Sequence, residues 1–251
     1  MTPGKKVPRS PGGARPDAAL VSHPLQAHAT LITLRRKQRL VLGDQPQGSI
    51  FMVQSGCLTV HCMLAGSRRQ IVHILYAGDV FALDAVPYGL GMGMTAVAPS
   101  RILRGRGAGG AMVASIGEQT VDLAAAAARL SVRSSLLALM IGRCTGEESL
   151  ATVLIEMAVL LGRPVPGGYT FELPLRRDDL ADYLALNRDT LSRLLSRLRA
   201  RDIISMPKRG WLIIKNFDAL AAMTPLAEAA RSLTPITLPA VHAPADGSIV
   251  S

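Results

Sequence analysis

The stretch from Leu175 to Arg201, LRRDDLADYLALNRDTLSRLLSRLRAR, constrains this 251-residue chain more than any other part of it. Leu191, Leu194, Leu195 and Leu198 recur at intervals of three and four, which at 100° per residue puts them on one face of a helix. The opposite face carries Asp189, Ser192, Arg193, Ser196 and Arg197. Asn187 stands where an N-cap is needed, and a shorter helix from about Arg177 to Leu184 offers Leu180, Tyr183 and Leu184 to the same small core. Two short helices around a tight turn, the second with a charged outer face, predict a helix-turn-helix.

That outer face has the chemistry for reading base edges. Arginine presents a fork that matches the two acceptors of guanine, a carboxylate accepts from the cytosine amino group, and a hydroxyl serves base or phosphate. Arg188, Asp189, Ser192 and Arg193 are therefore the candidate base contacts, with Asp189 and Arg193 four apart and placed to hold each other. A charged face also fits plain solvation of a surface helix, and the next element shifts the balance. Ile203 to Met206 and Trp211 to Ile214 are β-rich runs around the basic turn Pro207-Lys208-Arg209-Gly210, the pattern of a wing. Lys208 and Arg209 are candidate phosphate contacts, together with Arg177, Asn187, Thr190 and Arg197. Trp211 is assigned to the core rather than to a stacking platform.

The run LPLRRDDLADYLALNRDTLSRLLSRLRARDII with its wing resembles the C-terminal domain of the cyclic AMP receptor protein and fumarate-nitrate regulator (Crp/Fnr) family of bacterial transcription factors. It is most similar to the Fnr/FixK-like branch, whose recognition helix reads Glu-x-x-Ser-Arg. Asp189, Ser192 and Arg193 stand at those positions, and Arg188 matches the arginine of the cyclic AMP branch. The resemblance implies a cytoplasmic, homodimeric activator that binds double-stranded DNA at a palindromic promoter site and works with RNA polymerase. Two departures carry consequences. Asp189 is one methylene shorter than the family's glutamate, so operator preference should differ there. Ala185 stands where the family turn usually has glycine, and a positive φ at alanine costs about 1 kcal/mol relative to glycine.

The first half supports the same family. From Leu40 to Asp84, short β-rich runs alternate with turn residues at Gly43 to Gly48, Gly56, Gly66 and Gly78, a spacing that predicts an antiparallel sandwich or roll. It resembles the family's cyclic-nucleotide-binding-like sensor roll in Ser55-Gly56, Arg68 to Gln70 and Ala77 to Asp79, so the resemblance extends from Pro24 to Leu220. Family members that bind cyclic nucleotides use a glutamate and an arginine in the cassette after the Gly-Asp strand. Val80 to Ser100 contains neither, and its only charge is Asp84, so cyclic AMP is not expected. The glycines from Gly89 to Gly93 could offer amides to another ligand. Cys57, Cys62 and Cys144 are too few for the four thiolates of an iron–sulfur cluster. Cys57 and Cys62 are assigned to the core, and Cys144 to a helix boundary where it could be oxidised. His61 and His73 on strands, with Met92 and Met94 in a following loop, leave one alternative: a ligand-gated regulator that still binds a nucleotide or haem in the roll.

Between the two halves, Glu118 to Arg143 reads as a long apolar helix. Val121, Ala125, Ala128, Val132, Ser135 and Leu139 form a heptad seam suited to a second copy of the chain, and Leu123, Leu130 and Leu137 form a stripe suited to the roll. Thr145-Gly146-Glu147-Glu148 is a capping box that opens a helix to about Leu161, and Gly162 to Gly168, with Pro164 and Pro166, breaks the chain. The expected architecture is α+β: a disordered basic tail at 1–23, a sensor roll at 24–117, a dimerisation helix at 118–143, a winged helix-turn-helix at 144–220 and a mostly disordered tail at 221–251. Net charge of +10 favours a polyanionic partner. No apolar run is read as a membrane span or secretion signal, and no nucleophile elbow, phosphate loop or metal-ligand motif points to an enzyme.

Overall fold

A computed structural model describes residues 29–83, 91–106, 113–116 and 119–233. The basic tail expected at 1–23, Asp84, Gly89 and the chain from 234 onward lie outside the described residues.

The N-terminal half is a roll of two four-stranded antiparallel sheets. Its strands are β1 (Thr30–Leu34), β2 (Arg39–Val41), β3 (Ser49–Ser55), β4 (Cys57–Leu64), β5 (Arg68–Tyr76), β6 (Val80–Ala82), β7 (Gly91–Ala96) and β8 (Ser100–Arg106). One sheet has the order β1-β8-β3-β6 and the other β2-β7-β4-β5, so Phe51, Val53, Leu58, Val60 and Leu75 meet between them and are all buried. The Ser55-Gly56 turn needs its glycine: Gly56 has φ 90, and a Cβ there would collide with the carbonyl of Pro99 and with Ser100. Met92 and Met94 belong to β7, not to a loop as expected: Met94 fills the roll core, and Met92, on the same face of the strand, packs against that core.

A hairpin of β9 (Val113–Ile116) and β10 (Gln119–Asp122) leads to the long helix, which corrects its expected start at Glu118. The helix α1 runs Leu123–Arg143, and Asp122 caps it by accepting from the amide of Ala125. Val121 is thus paired in β10 rather than turned out from a helix, and it leaves the predicted seam. Of the stripe expected to face the roll, Leu137 is buried and Leu123 and Leu130 are half-buried. Ala126, Leu136, Leu137 and Met140 are buried, while Ala128, Val132, Ser135 and Leu139 face outward with Ala125 half-buried. By length and composition α1 is apolar enough to cross a bilayer, contrary to expectation. Its inner stripe packs on the roll, however, and Arg133 in its middle is ion-paired to the roll and to the following helix, so the protein itself accounts for that face.

Helix α2 (Gly146–Leu161) opens on the predicted capping box, with Thr145 and Glu148 each accepting from the other's amide. It is buried on all sides from Ser149 to Ala158 and forms the axis of the C-terminal core. The segment expected to break the chain instead forms β11 (Arg163–Val165) and β12 (Gly168–Glu172) around Gly167 at φ 79. Pro164 is tolerated because β11 is the edge of the sheet β11-β12-β14-β13. Next come α3 (Arg177–Tyr183), α4 (Arg188–Ala200), β13 (Ile204–Ser205), β14 (Trp211–Ile214), α5 (Phe217–Ala221) and α6 (Ala227–Arg231). The last two helices overturn the expected tail from 221: Ala230 and Leu220 are fully buried, and Thr152 of α2 shares a 2.7 Å hydrogen bond with Thr224.

Candidate nucleic-acid interface

Helices α3 and α4 pack through Leu180, Tyr183, Leu184, Leu191, Leu195 and Leu198, all buried, which turns the other side of α4 to solvent. Asn187 caps α4 as expected, its side chain accepting from Thr190 N at 2.7 Å. Ala185 in the connecting turn adopts φ 53, so the alanine bears the strain anticipated at the family's glycine position. The turn holds because Leu186 N donates to Ala181 O at 2.9 Å and Leu186 packs on the core.

The four predicted base-contacting residues lie together at the start and outer face of α4. Arg188, Asp189 and Arg193 are exposed and Ser192 is half-buried. Arg188 leans on Asp178 of α3 at 3.3 Å, with both groups largely in water, where such a pair contributes little and is easily exchanged for a ligand. The expected Asp189–Arg193 pairing is not formed: among the described residues no ion pair involves either group, which leaves both free to meet a partner. Thr190 is half-buried beside its cap, and Arg177 is exposed at the start of α3. Arg197 reaches toward Glu147 of α2 at 3.9 Å, and Arg201 pairs with the same carboxylate at 3.1 Å, so the last turn of α4 is tied back to the core helix.

The wing is present, as β13 and β14 with Lys208 and Arg209 exposed at its tip and Gly210 at φ 79. Trp211 is half-buried. Its indole N–H donates to Thr170 Oγ1 at 2.8 Å, and the Lys208 ammonium lies 4.7 Å from the ring centre, so the ring steadies a wing cation. Arg177, Arg188, Lys208 and Arg209 all line one groove of about 990 Å³, which brings helix and wing cations to a common surface.

A two-helix reader with this wing, set behind an antiparallel roll and a long helix, matches known proteins along most of its length. Residues 148–223 fit the Crp-like helix-turn-helix domain. The nitrogen fixation regulation protein FixK of Rhizobium meliloti is 24% identical over 214 residues, 84% of this chain and 96% of that protein. The transcriptional activator protein FnrL of Cereibacter sphaeroides is 36% identical over 86 residues, 33% of this chain and 35% of FnrL. The structure of FixK2 from Bradyrhizobium japonicum superposes with a TM-score of 0.61 at 24% identity, covering 78% of this chain and 97% of that one. The chain carries a Crp-like helix-turn-helix domain and resembles Crp/Fnr-family regulators along most of its length. It is a DNA-binding transcription regulator and not an enzyme.

A cavity of about 370 Å³ lies between the roll and α1, bounded by Cys62, Val72, His73, Phe81, Met92 and Leu130 among others. None of its described lining residues is Lys or Arg. The residues imagined around a haem are not gathered there. His73 and Met92 line the cavity, but Met94 is in the core and His61 accepts from Arg39 through Nε2 at 3.2 Å. Burial, then the charge of Arg133, pushes the His73 imidazole down to about 4, and burial with Arg39 does the same to His61, so both rings are neutral near pH 7. Cys57 is buried, and desolvation raises its thiol well above the usual range. Cys144 is the C-cap of α1, and burial and then Glu148 raise its thiol too, which lowers its reactivity.

Two clusters that join the domains were not visible in the sequence. Arg69 of β5 donates to Asp179 and Asp182 of α3, and Gln70 donates to the carbonyls of Asp182 and Tyr183, although Arg68 to Gln70 had signalled only the family roll. In the interior, Arg133 of α1 donates to Asp79 at 2.6 Å and to Glu156 of α2 at 3.2 Å, with its guanidinium 4.8 Å from the Tyr76 ring centre. Burial alone would weaken the hold of Arg133 on its proton. The carboxylates of Glu156 and Asp79 outweigh it and hold the cation charged. The signal available in the sequence was a few charges inside otherwise apolar helices, Arg129 and Arg133 in α1 and Glu156 in α2.

Proposed function

We propose that the chain acts as a homodimer that reads a palindromic promoter site through α4 and anchors it through the wing. The observation that carries this reading is the partition of α4: its leucines are buried while Arg188, Asp189 and Arg193 stand exposed, and Arg188 lines a groove shared with Lys208 and Arg209 of the wing. In this assignment Arg188, Asp189, Ser192 and Arg193 meet base edges, and Arg177, Asn187, Thr190, Arg197, Lys208 and Arg209 meet phosphates. Asp189 is the position at which the operator departs from that of a glutamate-bearing relative.

Dimerisation is supported by the outer seam of α1, where Val132 is 48% and Leu139 44% exposed in line with Ala128 and Ser135. A 3,4-spaced apolar seam buried against its own copy gives the two-fold symmetry a palindrome requires. The names FixK and FnrL, a regulation protein and an activator, support activation at promoters with RNA polymerase as partner, in the cytoplasm. Domain assignments follow the same reading: roll as sensor, α1 as dimer helix, and the chain from Cys144 through α6 as reader. Selection from random duplexes tests it. Enrichment of an inverted repeat with half-sites about one helical turn apart supports the proposal, and enrichment without symmetry or preference refutes it.

The cavity beside His73 favours a second reading, in which a small ligand gates the regulator. Its apolar lining suits a neutral apolar molecule rather than a nucleotide. Absorbance spectra and mass spectrometry of molecules released from the purified protein test this, a porphyrin or nucleotide spectrum being the result against it.

A further inference from the structure

We propose that a pocket where the roll, α1, α2 and the end of α6 meet is a binding site for a small monocarboxylate with an apolar body. The pocket holds about 330 Å³, at the small end of the roughly 300–1,000 Å³ that ligand sites occupy. It is separate from the cavity beside His73. Ala127, Leu130 and Ser134 of α1 border that cavity, whereas Arg129, Val132 and Arg133 border this pocket. Each set is spaced by three and four or by three and one, and at 100° per residue the two sets fall on opposite faces of the helix. Ser232 and Leu233, after α6, form part of the wall and lie past residues 148–223 that fit the Crp-like domain, so the pocket is completed by residues outside that match.

The charges around the pocket leave one cation unspent. Arg133 pairs with Asp79 at 2.6 Å and gives its other donors to Glu156 and the carbonyl of Ile74, while Asp79 also accepts from the amide of Tyr76. Arg129, one turn earlier, forms no ion pair or hydrogen bond with the described residues, and its Nε is buried. Buried donors seldom go unpaired, and the planar fork of a guanidinium is matched by a carboxylate. The lining carries two cations and one carboxylate, an excess of one positive charge that a single anion balances. Around it the walls are apolar: Val132 and Leu161 stand 48% and 37% exposed, and Leu160 and Leu233 complete the lining. Covering that surface supplies affinity that one ion pair near water does not, so the anion needs an apolar body. Inorganic phosphate lacks the body, and its second charge would face Asp79. Val132 also stands in the proposed dimer seam, so the pocket is tested on the full chain in its own oligomeric state.

Isothermal calorimetry tests the site with hexanoate, octanoate and 4-phenylbutyrate, set against octanamide and inorganic phosphate. At least one carboxylate should bind with a dissociation constant below about 1 mM, the amide should bind at least about tenfold more weakly, and phosphate should give no isotherm. Arg129→Gln should weaken the carboxylate about tenfold or more, and Arg129→Lys, which keeps the charge but loses the fork, should fall between it and the wild type. Ala77→Trp places an indole in the pocket from an exposed position and should abolish binding. Ala127→Trp crowds the cavity beside His73 instead and should leave binding unchanged. Absence of any carboxylate isotherm, equal binding of the amide, full affinity in Arg129→Gln, or loss in Ala127→Trp with none in Ala77→Trp overturns the inference. None of these results bears on the base contacts of α4, which the duplex selection decides separately.

Discussion

Arg69 on the sensor roll donates to Asp179 on the first helix of the reader at 2.6 Å, and its Nε reaches Asp182 of the same helix at 2.7 Å. One guanidinium therefore spans the boundary between the β-roll and the helix-turn-helix. Asp179 is nearly fully buried, so the contact is shielded from solvent on one side. Arg69→Ala should cost about 1.5–3 kcal/mol of stability, the usual range for hydrogen bonds to charged groups. Chemical denaturation of the single variants and of Arg69→Ala/Asp182→Ala should give a coupling well above zero. Additive losses would show that the two side chains touch without interacting.

The interior cluster around Arg133 should be less forgiving. Replacing Arg133 by Leu strands Asp79 and Glu156 without their cation, and breaking a buried pair from one side costs about 3–5 kcal/mol. Glu156→Gln should cost much less, because Arg133 keeps Asp79 and the carbonyl of Ile74. Thermal melts rank the two, and equal losses would contradict the pairing.

Acid should destabilise the fold through its two roll histidines. Both are held at about 4 in the folded chain, chiefly by burial, with Arg39 and Arg69 acting on His61 and Arg133 on His73. An unfolded histidine binds its proton near 6.5, so between pH 6.5 and 4 the unfolded state holds more protons and stability is lost as pH falls. Burial raises Glu156, which acts in the opposite direction over part of that range. Comparison with His73→Gln isolates the histidine share: the variant should lose less stability than wild type between pH 7 and 5. A parallel pH profile would remove His73 from the account.

The proposed dimer seam makes a sharper claim. Val132→Glu/Leu139→Glu places carboxylates where two copies of α1 would meet, while leaving the inner stripe of Ala126, Leu137 and Met140 intact. Sedimentation should show folded monomers. A persistent dimer would move the interface elsewhere.

How much was legible beforehand depended on the range of the interaction that fixes each feature. The amphipathic period of α4, its Asn187 cap and the capping box at Thr145 are set by residues three or four apart, and all three stand where the sequence put them. The strain at Ala185 was visible as well, since the turn needs a left-handed residue whatever occupies it. The expected start of α1 failed because a periodic apolar pattern continues through Val121, while β pairing with Ala114 claims that residue and Asp122 supplies the cap. Prolines at 164 and 166 disguised a hairpin that an edge position tolerates. Arg69 and Asp179 lie 110 residues apart, and Arg133 and Asp79 lie 54 apart, so no local pattern joins them.

The central claim is that α4 reads bases while the wing holds the backbone, and paired substitutions test it most directly. Binding of Arg193→Ala and Lys208→Ala should be measured across a panel of single-base operator variants over a range of salt. Arg193→Ala should relax preference at one base pair, at a cost of about 1–3 kcal/mol, whereas Lys208→Ala should weaken all sequences alike and lower the salt slope by about one. Equal effects of both substitutions on every sequence would contradict the assignment of α4 to the groove.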